Sequence, residues 1–141
     1  MKISSNKLKD IIDFAYQELE SLYGKDEIRS MIYSIIEHFT GYDLMKILTY
    51  KDELKVSESE LLKINFAIKD LKKERPLQQI LGYCEFLDVR IEVNQHVLIP
   101  RVETEEIVQR VIKENKGRKN LKIADICCGS GCIAIALKKA F

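Results

Sequence analysis

Leu121-Lys122-Ile123-Ala124-Asp125-Ile126-Cys127-Cys128-Gly129-Ser130-Gly131 is the segment from which the architecture follows, and Cys132-Ile133-Ala134-Ile135-Ala136-Leu137 comes directly after it. Residues 121–127 read as a buried strand, the two glycines make a tight turn, and the apolar run beyond them reads as a helix. A strand, a glycine turn and a helix form the opening of a doubly wound α/β fold. Such a sheet needs further parallel strands, because one strand cannot bury both faces alone. The 141 residues leave none to supply them. The expectation is therefore the front piece of a longer protein, ahead of the alternative that a partner completes the sheet.

Upstream of this stretch the texture is helical. Leu8, Ile11, Ile12, Ala15, Leu19 and Leu22 recur at helical spacing, with Gly24 placed as a left-handed cap. Asp26 is placed to cap a second helix with the stripe Ile28, Met31, Ile32, Ile35, Ile36 and Phe39, which Gly41 ends. A short third helix is expected over 43–48. Ser57-Glu58-Ser59-Glu60 reads as a capping box ahead of Leu61, Ile64, Ile68 and Leu71, in a helix that stops before Pro76. From Pro76 the helical period is lost. Tyr83–Phe86 and Val89–Val93, separated by Leu87-Asp88, suggest a hairpin. A further helix from about Thr104, capped by Thr104, carries Ile107, Val108, Val111 and Ile112 and ends at Gly117. The division expected is a helical domain over 1–75, a hairpin linker over 76–96 and the start of an α/β domain over 97–141, α+β overall.

Charge excludes several function classes. Residues 1–75 carry 13 basic and 14 acidic groups, and 76–141 carry 10 and 8, so neither part has the basic excess that binds nucleic acid or an acidic membrane. No apolar run approaches the roughly 18 to 20 residues that span a bilayer. Met1-Lys2-Ile3-Ser4-Ser5 has no apolar leader, which places the chain in the cytoplasm. Adjacent Cys127 and Cys128, with Cys132 four further on, do not suit a disulfide framework, and nothing matches the paired spacing of a zinc site. Reduced thiols and no metal are expected. Phe14, Tyr16, Tyr33 and Phe39 are read as core or core-edge residues rather than a base-stacking platform.

Two segments carry possible chemistry. At the end of the strand, Asp125 through Gly131 would expose amides at a helix N-terminus that bind a carboxylate or a phosphate. A nucleotide, a dinucleotide and S-adenosylmethionine all remain open on that ground, whereas a Walker-type phosphate loop is excluded, since no Gly-Lys-Ser/Thr follows. In Val97-Leu98-Ile99-Pro100-Arg101-Val102-Glu103-Thr104-Glu105, proline fixes the chain and Arg101 offers a bidentate carboxylate clamp. A plain helix entry with Arg101 paired to Glu103 or Glu105 is the other reading.

Taken together, Pro76-Leu77-Gln78-Gln79-Ile80-Leu81-Gly82, Phe86, Val93, the block 97–105 and Asp125-Ile126-Cys127-Cys128-Gly129-Ser130-Gly131 resemble the PrmC/HemK family of protein-(glutamine-N5) methyltransferases. The resemblance covers residues 76–141 by motif and 1–75 by architecture. It implies a helical domain that docks a peptide-chain release factor, a hairpin linker and a Rossmann-like domain that binds S-adenosylmethionine. It also implies that Asp125, Cys127, Cys128, Gly129, Ser130 and Gly131 line the cofactor, with Arg101 and Thr104 on the same side, and that no nucleic acid or membrane takes part directly. The chain departs from the family at Gln79 (usually aromatic), Asp88 (often glycine), Val102 (usually proline) and Cys127 (commonly glycine). The family's Asn-Pro-Pro-Tyr motif, which holds the target amide, is absent from these residues, so this chain alone is expected not to methylate. A ribosomal-protein glutamine methyltransferase ranks second, and a free-standing helical protein-binding module is the reading from another class.

Overall fold

The computed structural model describes residues 5–141, so the reading of a leader-free N-terminus falls, for residues 1–4, outside the described residues. The chain forms two compact units, Met1–Ile80 and Leu81–Phe141.

The first unit holds four helices, α1 (Leu8–Leu19), α2 (Lys25–Thr40), α3 (Leu44–Tyr50) and α4 (Glu58–Leu71). Helices α1, α2 and α4 bury the stripes that their 3.6-residue period announces, and the short α3 buries only Ile47. Leu8, Ile11, Leu19, Ile28, Ile32, Ile35, Ile36, Ile64 and Ile68 are almost wholly removed from water and form a core between α1, α2 and α4. Phe14, Tyr16, Tyr33 and Phe39 are half-buried at its edge. Leu22, placed by periodicity on the α1 stripe, is exposed because α1 ends at Leu19 and the chain turns away.

The caps follow local chemistry, with some corrections. Gly41 closes α2 in the left-handed region at φ +71°. Gly24 does not close α1: it has φ −69° and is the N-cap of α2, which puts Asp26 inside the first turn instead of at the cap. An aspartate there still favours the positive end of the helix dipole. Asp43 caps α3, its carboxylate accepting from the Lys46 amide at 2.7 Å, and α3 runs two residues beyond the expected Leu48. The capping box of α4 is complete. Glu60 Oε2 accepts from the Ser57 amide at 2.7 Å, and Ser57 Oγ accepts from the Glu60 amide at 3.3 Å. Helix α4 stops through Glu74 at φ +59°, whose amide donates to the Leu71 carbonyl at 2.8 Å.

A short helix that periodicity does not announce, α5 (Leu77–Leu81), runs across the point where the chain passes between units. In the second unit, β1 (Tyr83–Phe86) and β2 (Val89–Glu92) pair antiparallel in the register Tyr83 with Glu92 and Phe86 with Val89. Leu87 at φ +47° and Asp88 at φ +58° form the turn, the sign that a two-residue I′ hairpin requires. Helices α6 (Val102–Glu114) and α7 (Cys132–Ala140) complete the unit. Its core gathers Phe86, Ile91 and Val93 with Val108 of α6 and with Cys132, Ala136 and Leu137 of α7. Helix α6 ends at Glu114, with Asn115 as its C-cap ahead of Gly117, and its Ile107 is 64 % exposed, so the buried stripe of α6 is narrower than its period suggests.

The strand expected over residues 121–127 does not form. The segment is irregular and mostly exposed. A strand is held by ladder partners, and among the described residues the only two-stranded sheet is β1 with β2, which offers this segment none. No helix among the described residues is long and apolar enough to cross a membrane.

Hydrogen bonds from the Ser57 amide and then the Ser57 hydroxyl hold the Glu60 carboxyl below the ordinary glutamate range. A lowered folded value gives stability that is present above the unfolded value of about 4.3 and is lost as pH falls through the folded one. Urea unfolding is expected to show Ser57→Ala costing about 1 kcal/mol at neutral pH. The gap between the unaltered chain and Glu60→Gln should narrow below pH ~4; a gap that is flat with pH contradicts the cap as the cause.

Candidate functional site

Three left-handed residues shape the loop ahead of α7: Cys127 at φ +63°, Gly129 at +56° and Gly131 at +76°. Glycine adopts this region freely, whereas a cysteine there carries strain of about 1 kcal/mol. The Gly131 amide donates to the Cys128 carbonyl at 2.8 Å and closes the turn. Gly131 is also the N-cap of α7 and has no side chain with which to cap it. Asp125 does so from nine residues upstream, its Oδ2 accepting from the Ala134 amide at 3.2 Å. Sequence reasoning did not find this capping role, since a side chain nine residues from its partner leaves no local pattern.

The sequence-derived site residues are partly brought together. Cys127, Cys128 and Gly129 are exposed, and Ser130 and Gly131 are half-buried. A Cβ built on Gly129 meets nothing within 4 Å, and one on Gly131 comes no closer than 3.6 Å, to Ile135 Cδ1. The loop therefore presents open space and helix N-terminal amides, which fits a ligand bearing a carboxylate. Asp125 also lines a groove of about 620 Å³ together with Leu121, Ile123, Ala134, Leu137 and Phe141. Residues 127–131, Arg101 and Thr104 do not line that groove. The turn and the groove are distinct surfaces that share Asp125.

Arg101, not Thr104, is the N-cap of α6, and it makes no side-chain cap. Thr104 lies inside the first turn, its amide donating to the Arg101 carbonyl at 3.0 Å. Arg101 is still extended, at φ −104° and ψ 148°, and the helix begins at the next residue, so its cap lies three positions ahead of the expected Thr104. First-turn residues of α6 and α7 act electrostatically on one strand residue. Burial chiefly raises the pKa of the Cys84 thiol, and Cys132, Glu85 and Glu105 push it further. Glu105 follows Thr104 and Cys132 follows Gly131, so the first turns of α6 and α7 both lie within electrostatic reach of Cys84 on β1. Sequence spacing could not show this convergence, because the three residues come from three elements.

Among the described residues no group of three histidine, cysteine, aspartate or glutamate side chains is placed to hold a metal ion. All four cysteines are free thiols.

No protein-family model matches the chain. Curated relatives do. The chain is 43 % identical over 127 residues to a release factor glutamine methyltransferase of Flavobacterium psychrophilum, covering 87 % of this chain and 44 % of the relative. It is 36 % identical over 129 residues to the enzyme of that name from Bacteroides thetaiotaomicron, covering 92 % and 45 %. With that of Lactococcus lactis the identity is 44 % over 86 residues, covering 61 % and 32 %. The class these matches define is that of protein-glutamine methyltransferases. The matches bear out the resemblance to the PrmC/HemK family: the chain corresponds to the N-terminal portion of these relatives and spans less than half the length of each.

Val102, where the family usually has proline, is the first residue of α6 and is exposed. That position tolerates proline because its amide has no helical partner, and the extended Arg101 already suits a following proline. Val102→Pro is expected to stabilise the chain by about 0.5 kcal/mol in urea unfolding, and a loss of stability would contradict a helix that starts at Val102. Asp125→Ala should cost about 1 kcal/mol by removing the cap of α7, while Asp125→Asn retains most of it.

Proposed function

We propose that the chain is the front part of an S-adenosylmethionine-dependent enzyme that methylates the side-chain amide nitrogen of a glutamine in a peptide-chain release factor. The glycine turn carries this reading: two left-handed glycines, open space at Gly129 and an acidic residue bound to the helix start stand where the family motif places its cofactor. In this reading residues 1–75 dock the release factor, 76–96 link, and 97–141 begin a Rossmann-like domain that works in the cytoplasm. Val108 of α6 and Cys132 of α7 share one apolar cluster, which supports grouping the start of α6 with the loop ahead of α7.

Bound S-adenosylmethionine would supply the methyl group. Cys127 to Gly131 would follow its methionine part, the first amides of α7 favouring the carboxylate, with Asp125 holding the loop in place through Ala134. Arg101 and Thr104 would wall the same side. An amide nitrogen is a poor nucleophile, so rate comes from aligning it with the transferable methyl in a near-attack geometry and from accepting its hydrogens. The groups that accept those hydrogens fall, in the family, at the Asn-Pro-Pro-Tyr motif, which these residues lack.

The test is methyl transfer by the complete protein, with methyl-labelled S-adenosylmethionine and a release factor, read by peptide mass spectrometry. Label is expected on one glutamine, and Gly129→Val, whose branched side chain enters the open space at a left-handed residue, should lower kcat/KM at least about tenfold. Label on another residue type, or none, overturns the reading.

A further inference from the structure

The proposed chemistry places Cys127 and Cys128 on the cofactor loop and gives their thiols no role. Both thiols are free and exposed, and they stand on the loop where a glycine is common in the family. In an extended chain, neighbouring side chains point to opposite faces. Cys127 sits instead in the left-handed region at φ +63°, which breaks that alternation.

We propose that Cys127 and Cys128 form a vicinal dithiol that captures a monosubstituted trivalent arsenical, R–As(OH)2, on the glycine turn. Neighbouring Cα atoms lie about 3.8 Å apart, shorter than the roughly 4.4 to 6.8 Å that a relaxed disulfide spans. The pair is thus better suited to bridging through an inserted atom than to closing on itself. Zinc takes about four ligands, and among the described residues no three candidate ligands converge. Cys132, the nearest further thiol in the sequence, is buried in the apolar cluster. Two soft, exposed sulfurs match an arsenic centre that has two exchangeable positions and one fixed carbon. In the reaction two As–O bonds break and two As–S bonds form. Each thiol proton leaves with a hydroxide as water, and arsenic stays trivalent, so no oxidant or reductant is needed. Resting on the reading of this turn as the cofactor loop, the ring then fills the open side of Gly129 and keeps the methionine part of the cofactor out.

The probe is phenylarsine oxide, which hydrates to the dihydroxide, titrated into the 141-residue chain and followed by intact mass. One adduct per chain is expected, resistant to excess monothiol and removed by a dithiol. Cys127→Gly keeps the left-handed backbone without strain, so its effect reports on sulfur and not on folding. Cys127→Gly and Cys128→Ser should each weaken capture at least about a hundredfold, because the second bond to arsenic is no longer intramolecular. Cys84→Ser should leave it unchanged. An adduct that survives in Cys127→Gly, or that disappears in Cys84→Ser, overturns the assignment. In the complete protein, capture that leaves S-adenosylmethionine binding unaltered would overturn the cofactor position while the dithiol stands.

Discussion

Phe86, Ile91 and Val93 of the hairpin, Val108 of α6, and Cys132, Ala136 and Leu137 of α7 close on one another in a single apolar cluster, and the second unit depends on that closure. None of its elements is stable alone. A two-stranded hairpin is marginal in water, and a helix of nine residues is below the length at which isolated helices persist. Fully buried Phe86 anchors the cluster from the hairpin side, and truncating such a side chain typically costs about 3 to 5 kcal/mol. The glycine turn has few contacts of its own, so its position is set by where the cluster holds Cys132, the residue that follows Gly131.

Three departures from the family fall where backbone geometry, not side-chain chemistry, selects the residue. Val102 occupies a first helical position, the place that favours proline. Asp88 and Cys127 have φ +58° and +63°, the region that favours glycine. The backbone persists at these points with residues that suit it less, at roughly 1 kcal/mol for each left-handed one. Tertiary packing therefore dictates the backbone there, and local preference follows it.

Much of the first unit was legible because its signals are local. A 3.6-residue apolar period marks α1, α2 and α4, and the spacing of Ser57 and Glu60 marks a complete capping box. Gly24 is ambiguous in sequence because a glycine between two helices can end one or begin the next, and only φ distinguishes them. In the candidate site the loop residues were legible as a motif, and what they do to one another was not. The bond from Ala134 to Asp125 spans nine positions, and the effect of Glu105 and Cys132 on Cys84 joins three elements. The apolar run through Ile123 and Ile126 has the pattern of a buried strand, yet Ile126 is 86 % exposed. Apolar residues report a readiness to be buried, and burial needs a partner surface that a one-dimensional pattern does not contain.

Helix α7 is fastened at both ends: Asp125 accepts from its first turn, and Lys139 Nζ donates to the Asp88 carbonyl at the hairpin tip at 2.9 Å. Negative charge at the start and Lys138 and Lys139 at the end both suit its dipole. The helix is too short to persist by itself and depends on the surface that the hairpin and α6 make for it. The glycine turn ahead of it is largely exposed, and exposed segments with few buried contacts open locally at a free energy below that of global unfolding. A ligand that binds the closed turn and not the open one would draw the whole unit toward its folded form by mass action.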